Sequence, residues 1–300
     1  MSNDPKSPWN HQVLTNPERS LVARIDLEGK PKSLASLIGI SASDKPKEYM
    51  HRGSLPDRLR DADDGYEWKK TPRDSQGWNF SEIVMFPIVG PCQNNRVLVG
   101  SDIYPMGQHG LVRCLTFEPD RSTPNAAAFK VVYEANTPIP NPKAGQPGQP
   151  SEFLWPYTVG VGKTYEVAGN QLIAKFSVKN LSDSPMPFEF GWHPAWDILG
   201  EESTGQVTID WETISLAAVQ LGAVKRRANR VMYANTGGRI GVVSNMPKSM
   251  VWSPPDGKLI CMEPVTEWGN KAFQGFPTLE GALQPEEERE YEVRISLSPE

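Results

Sequence analysis

The 300-residue chain carries only three cysteines and four histidines, and it has no long apolar run. Cys92, Cys114 and Cys261 are odd in number, far apart and without metal-site spacing, so they read as reduced thiols in a cytosol-like compartment. Four scattered histidines without an HExxH pattern build no conventional zinc cluster, and no metal is expected. No stretch approaches the 18 apolar residues of a membrane span. The first ten residues, MSNDPKSPWN, lack an apolar segment behind a basic start, so no secretory signal is expected. Positive charge is also in deficit. Lys plus Arg is 31 against 36 acidic residues, a formal net charge of -5, which opposes nucleic-acid binding. Glycine-rich nucleotide loops and the GxSxG serine elbow are missing as well, removing support for phosphate-cradle and serine-hydrolase chemistry.

What is present is turn chemistry and short β pattern. There are 25 glycines and 28 prolines, which favour many strands and turns over long helices. Strands are expected at 21–27, 33–40, 81–89, 111–118 and 129–135, with Pro87 marking an edge or bulge. Residues 41–77 are polar and read as loop with at most a short helix near 56–64. The proline-rich 136–152 stretch reads as a surface loop, because strand pattern resumes directly after it. The clearest alternation runs from Tyr165 to Val178, where Leu172, Ala174, Phe176 and Val178 share a face. Further strands are expected at 206–209, 239–244, 249–253, 259–263 and 291–297. No segment holds a 3.6-residue apolar period for three turns. The expected fold class is all-β, a large antiparallel sandwich.

Three segments can carry chemistry. In Gly107-Gln108-His109-Gly110 the glycines allow a backbone that holds an imidazole at a cavity edge, although a turn with a surface histidine reads equally from the pattern. In Gly191-Trp192-His193-Pro194-Ala195-Trp196 the proline biases His193 to extended backbone. The flanking indoles suit either the apolar face of a sugar or core packing. In Leu259-Ile260-Cys261-Met262-Glu263-Pro264 a carboxylate ends an apolar run. Partial burial there would raise its pKa toward that of a general base, and a structural ion pair is the alternative. A histidine and a glutamate together can move two protons, and this pair alone leaves isomerisation, elimination and hydrolysis open.

These residues, with FPIVG at 86–90, NNR at 94–96, QHGLVR at 108–113, GWHPAW at 191–196, CMEP at 261–264 and GALQPEE at 281–287, resemble the aldose 1-epimerase (galactose mutarotase-like) family. The resemblance leans to its hexose-6-phosphate mutarotase branch. It implies a galactose mutarotase-like β supersandwich over residues 1–300, with 1–80 a divergent N-terminal part. It further implies an epimerase that needs no cofactor and interconverts α and β anomers of a hexose or hexose phosphate. By motif, His193 is the acid at the ring oxygen, Glu263 the base at the anomeric hydroxyl, and His109 a poising group. Arg96, Arg113, Trp192, Trp196 and, by position, Asp197 are the substrate contacts. Lys69, Lys70 and Arg73 are further cations that can reach the cleft rim. A non-catalytic carbohydrate-binding protein, or a related sugar isomerase or lyase, is the alternative. The expected partner is a small sugar, with no nucleic acid or membrane, in a cytoplasmic monomer or weak homodimer. Two positions depart from the branch: Pro91-Cys92 stands where an arginine follows FPxVG, and Val265 where a tryptophan follows Glu-Pro, the nearest being Trp268.

Overall fold

A computed structural model describes residues 11–27, 34–40, 46–50, 82–255, 259–268, 275–276 and 278–298. Two large antiparallel sheets dominate. The nine-stranded sheet runs in the order β16 (Glu212–Ser215), β15 (Gln206–Ile209), β18 (Arg230–Asn235), β19 (Gly238–Ser244), β22 (Glu288–Ser298), β13 (Gln171–Asn180), β12 (Val159–Ala168), β9 (Ala126–Tyr133) and β8 (Glu118–Ser122). The five-stranded sheet runs β17 (Val224–Arg226), β20 (Lys248–Trp252), β21 (Leu259–Val265), β14 (Gly191–Asp197) and β5 (Glu82–Met85). A four-stranded sheet, β1 (His11–Thr15), β2 (Leu21–Asp26), β3 (Leu34–Ile40) and β4 (Pro46–Glu48), precedes them. Two small ladders complete the set: β6 (Arg96–Val99) with β7 (Asp102–Pro105), and β10 (Ile139–Pro140) with β11 (Glu152–Phe153). Among the described residues there is one short α-helix, α1 (Leu216–Gln220), which begins with Ser215 accepting from the Ala218 N–H.

The strands form where side chains alternate. In β12, Val159, Val161, Lys163, Tyr165 and Val167 are buried while their neighbours are half-buried. The hairpin to β13 turns at Gly169, whose φ of 55° suits glycine. That turn divides the expected 165–178 segment between two strands. The 136–152 loop is closed at its base by the β10–β11 pair. Residues 111–118, expected as a strand, instead contain a 3₁₀ turn at Val112–Cys114 before β8 begins at Glu118. The cause is local: the Phe86 carbonyl accepts from the N–H groups of Leu111 and Val112, bending the chain there. The expected helix near 56–64 lies outside the described residues.

The central strands of the five-stranded sheet are buried on both faces, including every residue of β21. On one face Trp192 and Trp196 pack edge-on at 6.1 Å, and Trp192 meets Phe176 of the opposite sheet at 5.8 Å. Phe190 stacks on Tyr291 of β22 at 4.6 Å. A charged centre lies within this apolar interior. Glu82 accepts from the Leu34 N–H at 2.9 Å, the Tyr165 hydroxyl and the Trp192 indole N–H, and Lys163 lies 3.6 Å away. Paired and hydrogen-bonded, the carboxylate is tolerated there, and it ties β5, β12 and β14 into one register.

Candidate active site

Register alone brings the two proton carriers together. Strands β14 and β21 pair at Gly191 with Val265 and at Ala195 with Cys261, so His193 and Glu263 face each other between those pairs. Each stands beside a proline, Pro194 and Pro264, whose missing N–H interrupts the ladder there. His193 Nε2 lies 3.4 Å from Glu263 Oε1. The acid and base are thus neighbours on adjacent strands, on the sheet face opposite Trp192 and Trp196. His193 is 5% and Glu263 2% exposed. Glu263 Oε2 finds no hydrogen-bond partner among the described residues. A buried acceptor left open this way is the exception in folded proteins, and a catalytic role is one reason such groups are kept.

His109 arrives from a loop built for close approach. The Phe86 N–H donates to the His109 carbonyl and the Leu111 N–H donates to the Phe86 carbonyl, so residues 86 and 109–111 run against each other. His109 and Gly110 take φ of 66° and 74° in succession. A Cβ on Gly110 would stand 1.9 Å from the Phe86 oxygen, so only glycine fits. The His109 N–H donates to the Gly90 carbonyl at 2.9 Å, and the Gly90 N–H donates to His109 Nδ1 at 3.2 Å. With Nδ1 accepting, the neutral ring carries its proton on Nε2, and the Gln108 side-chain amide 3.0 Å away satisfies it only with its oxygen turned to the ring to accept. Its ring meets that of His193 edge-on, with centroids 5.1 Å apart. The glycine-flanked histidine is therefore buried, not surface-exposed.

Burial sets the electrostatics. It pushes the His109 imidazole down to about 3, helped by the charges of Arg113 and Lys143. His193 is pushed well below the usual histidine range, by burial first and then by His109 and Arg113. Burial alone drives Glu263 well above the carboxylate range. The 3.4 Å spacing suits an ion pair, whereas both shifts favour imidazole beside carboxylic acid. The two descriptions contain the same single proton, and the dry surroundings favour the neutral arrangement. Burial also lowers the Arg113 guanidinium pKa.

The other expected contacts divide. Arg113, in the 3₁₀ turn after the His109 loop, acts on both histidines. Trp192 and Trp196 do not line the site: strand alternation turns them into the core, where both are 0% exposed. Arg96 is exposed at the start of β6 and opens onto a depression of about 460 Å³ shared with Asn94, Asn95 and Gln149, apart from the histidines. Asp197 ends β14 opposite Leu259. It stands four residues from His193, roughly 13 Å along a strand. Lys69, Lys70 and Arg73 lie outside the described residues. A trough of about 940 Å³ on the outer face of the nine-stranded sheet, bordered by Lys130, Lys175 and Glu290, includes neither the histidines nor Glu263. Among the described residues, one trio has the types and spacing to ligate a metal: His193, Cys261 and Glu263, with ligand atoms within 4.8 Å. Its thiol is raised well above its ordinary value by burial and by Glu263, which favours the protonated form that binds metals poorly.

The architecture is that of the galactose mutarotase-like proteins. A galactose mutarotase-like protein from Lactobacillus casei superposes with a TM-score of 0.71 at 17% identity, covering 96% of this chain and all of that one. An aldose epimerase homologue from C. elegans gives 0.66 at 13% identity, covering 97% and 99%. The galactose 1-epimerase of Lactobacillus acidophilus gives 0.58 at 11% identity, covering 96% and 94%. Within the sequence, residues 92–240 match the model of the aldose 1-epimerase family. No curated protein matches the sequence significantly.

Proposed function

We propose that this chain is an aldose 1-epimerase, interconverting the α and β anomers of a hexose or hexose phosphate by acid/base ring opening and reclosure. The observation that carries the reading is the buried His193–Glu263 pair, 3.4 Å apart, with His109 against it. The ring oxygen and the anomeric hydroxyl of a hemiacetal are bonded to the same carbon. An acid and a base that serve both must be adjacent, as these two are.

The reacting form is the ion pair, reached from the neutral pair when the shared proton moves from Glu263 to His193. Glu263 then takes the proton from the anomeric hydroxyl while His193 gives one to the ring oxygen. The bond between C1 and the ring oxygen breaks, leaving the open aldehyde. The pair then stands as carboxylic acid and neutral imidazole, the arrangement its burial favours. After rotation about C1–C2, His193 takes back the hydroxyl proton as that oxygen attacks C1, and Glu263 returns its proton to the carbonyl oxygen. One proton shuttles within the pair and none is exchanged with solvent. The His109 Nε2–H and the Arg113 guanidinium are donors for sugar oxygens. Enforced adjacency of both carriers to one carbon supplies the proximity that water lacks. No step calls on a cofactor, and the reduced thiols suit a cytoplasmic setting.

The test is direct. Polarimetry or NMR exchange on freshly dissolved α-glucose, α-galactose and glucose 6-phosphate should show anomer equilibration accelerated for at least one sugar. Binding without acceleration would overturn the reading.

A further inference from the structure

Strand β21 puts a third reactive side chain on the face that carries the acid/base pair. Residues two apart on a strand share a face, so Cys261 stands beside Glu263. Across the ladder it pairs with Ala195, and His193 is its diagonal neighbour. Ala195, Leu259 and Trp252 pack around the thiol as an apolar wall. One ligand atom from each of His193, Cys261 and Glu263 falls within 4.8 Å of the other two. All three residues are buried, and the proton shuttle makes no use of the thiol. The other two cysteines are placed differently. Cys92 Sγ donates to the Met106 carbonyl at 2.8 Å, and Cys114 is half-buried in its 3₁₀ turn.

Imidazole, thiolate and carboxylate are a donor set for zinc and for softer ions. Bonds of about 2.0–2.3 Å to a tetrahedral ion place its ligand atoms about 3.5 Å apart. His193 Nε2 and Glu263 Oε1 already stand at 3.4 Å, and the sulfur reaches that spacing with about 1 Å of side-chain movement. Glu263 Oε2 is a buried acceptor with no hydrogen-bond partner among the described residues, which leaves it open to an ion. Charge fits as well. A thiolate, a carboxylate and a neutral imidazole around a divalent ion sum to zero, so the dry interior that opposes each anion alone accepts the complex. The thiol and the carboxyl give up their protons as the ion enters. That exchange selects ions with strong bonds to sulfur over magnesium or calcium, which prefer all-oxygen sites.

We infer that His193, Cys261 and Glu263 form an inhibitory site for a thiophilic divalent cation of the zinc and cadmium class. Held as ligands, His193 and Glu263 carry no proton between the anomeric oxygens, so the ion arrests the shuttle and is no cofactor for it. The fourth tetrahedral position stays open to water. Binding stands on the geometry of the trio, while the effect on rate rests on the epimerase reading.

The test titrates chelator-treated protein with cadmium and with zinc, reading the ultraviolet cadmium–thiolate band and, by polarimetry, the mutarotation rate. One cadmium per chain should give the band. Saturating zinc should slow mutarotation by about 10²–10⁴, the worth of a positioned acid or base, and chelator should restore the rate. In Cys261→Ser and Cys261→Ala the band should vanish with the basal rate unchanged. The zinc concentration needed for inhibition should rise there by at least the about 10- to 100-fold that even an outer partner of a ligand is worth. The band should survive in Cys92→Ser and Cys114→Ser. Glu263→Gln keeps the thiol and should bind cadmium at least about 10-fold more weakly, which tests the site even where a Cys261 variant does not fold. No band in the wild type, a band and inhibition that survive in the Cys261 variants, or unchanged cadmium affinity in Glu263→Gln overturns the site while the epimerase reading stands. A band lost with Cys261 in a protein that equilibrates none of glucose, galactose and glucose 6-phosphate supports the site and overturns the epimerase reading.

Discussion

The His109→Asn substitution isolates the electrostatic cost of burying an imidazole at this site. Asparagine tolerates the positive φ of 66° at this position, and its side-chain oxygen can accept from the Gly90 N–H, so the loop should keep its shape. What it removes is a titrating group. His109 has a folded pKa of about 3 against an ordinary 6.5. The unfolded chain therefore binds a proton between those limits that the folded chain refuses. Stability from this group is full above pH 6.5 and is lost as pH falls toward 3, at about 1.4 kcal/mol per pH unit. Between pH 7 and pH 5 the loss is about 2 kcal/mol. Urea denaturation followed by tryptophan fluorescence at pH 7, 6 and 5 should show the wild type losing that much more stability than the variant. Parallel stability profiles would refute the argument that His109 is held neutral, and with it the assignment of its Nε2–H as a donor.

Two further predictions concern the loop and the base. Gly110→Ala places a methyl group 1.9 Å from the Phe86 oxygen at a φ of 74°. It should cost more than the about 1–2 kcal/mol of the left-handed backbone alone and slow mutarotation by displacing His109, as denaturation and polarimetry would show. A variant with wild-type stability and rate contradicts the loop argument. Glu263→Gln should gain stability relative to the wild type as pH rises. A carboxyl raised on folding loses stability between its unfolded pKa and its folded one, at about 1.4 kcal/mol per unit, and the amide does not. Denaturation from pH 5 to 7 measures the gap, and a gap that stays constant denies the burial cost.

The fold class was legible because the outer sheet alternates. Strands such as β12 and β22 bury every second residue, and that periodicity survives in sequence. The inner strands β14 and β21 are buried on both faces and carry no alternation, so His193 and Glu263 stood out only by local context, a histidine ahead of a proline between indoles and a carboxylate ending an apolar run, and motif resemblance gave them their roles. That same lack of alternation hid the direction of Trp192 and Trp196, which adjacency in sequence suggested as sugar contacts and strand geometry turns into the core. Residues 111–118 look like a strand, but the carbonyl of Phe86 bends them, a contact between segments about 25 residues apart that no local pattern encodes.

The central claim is that His193 and Glu263 pass a proton through the anomeric centre, and the rate of the Glu263→Gln variant tests it most directly. The amide keeps the size and much of the hydrogen bonding but cannot accept the anomeric proton. On whichever sugar the wild type equilibrates fastest, polarimetry or NMR exchange should show the folded variant slower by about 10²–10⁴, the usual worth of a positioned acid or base, with sugar binding little changed. Near-wild-type mutarotation by a folded Glu263→Gln protein would contradict the account.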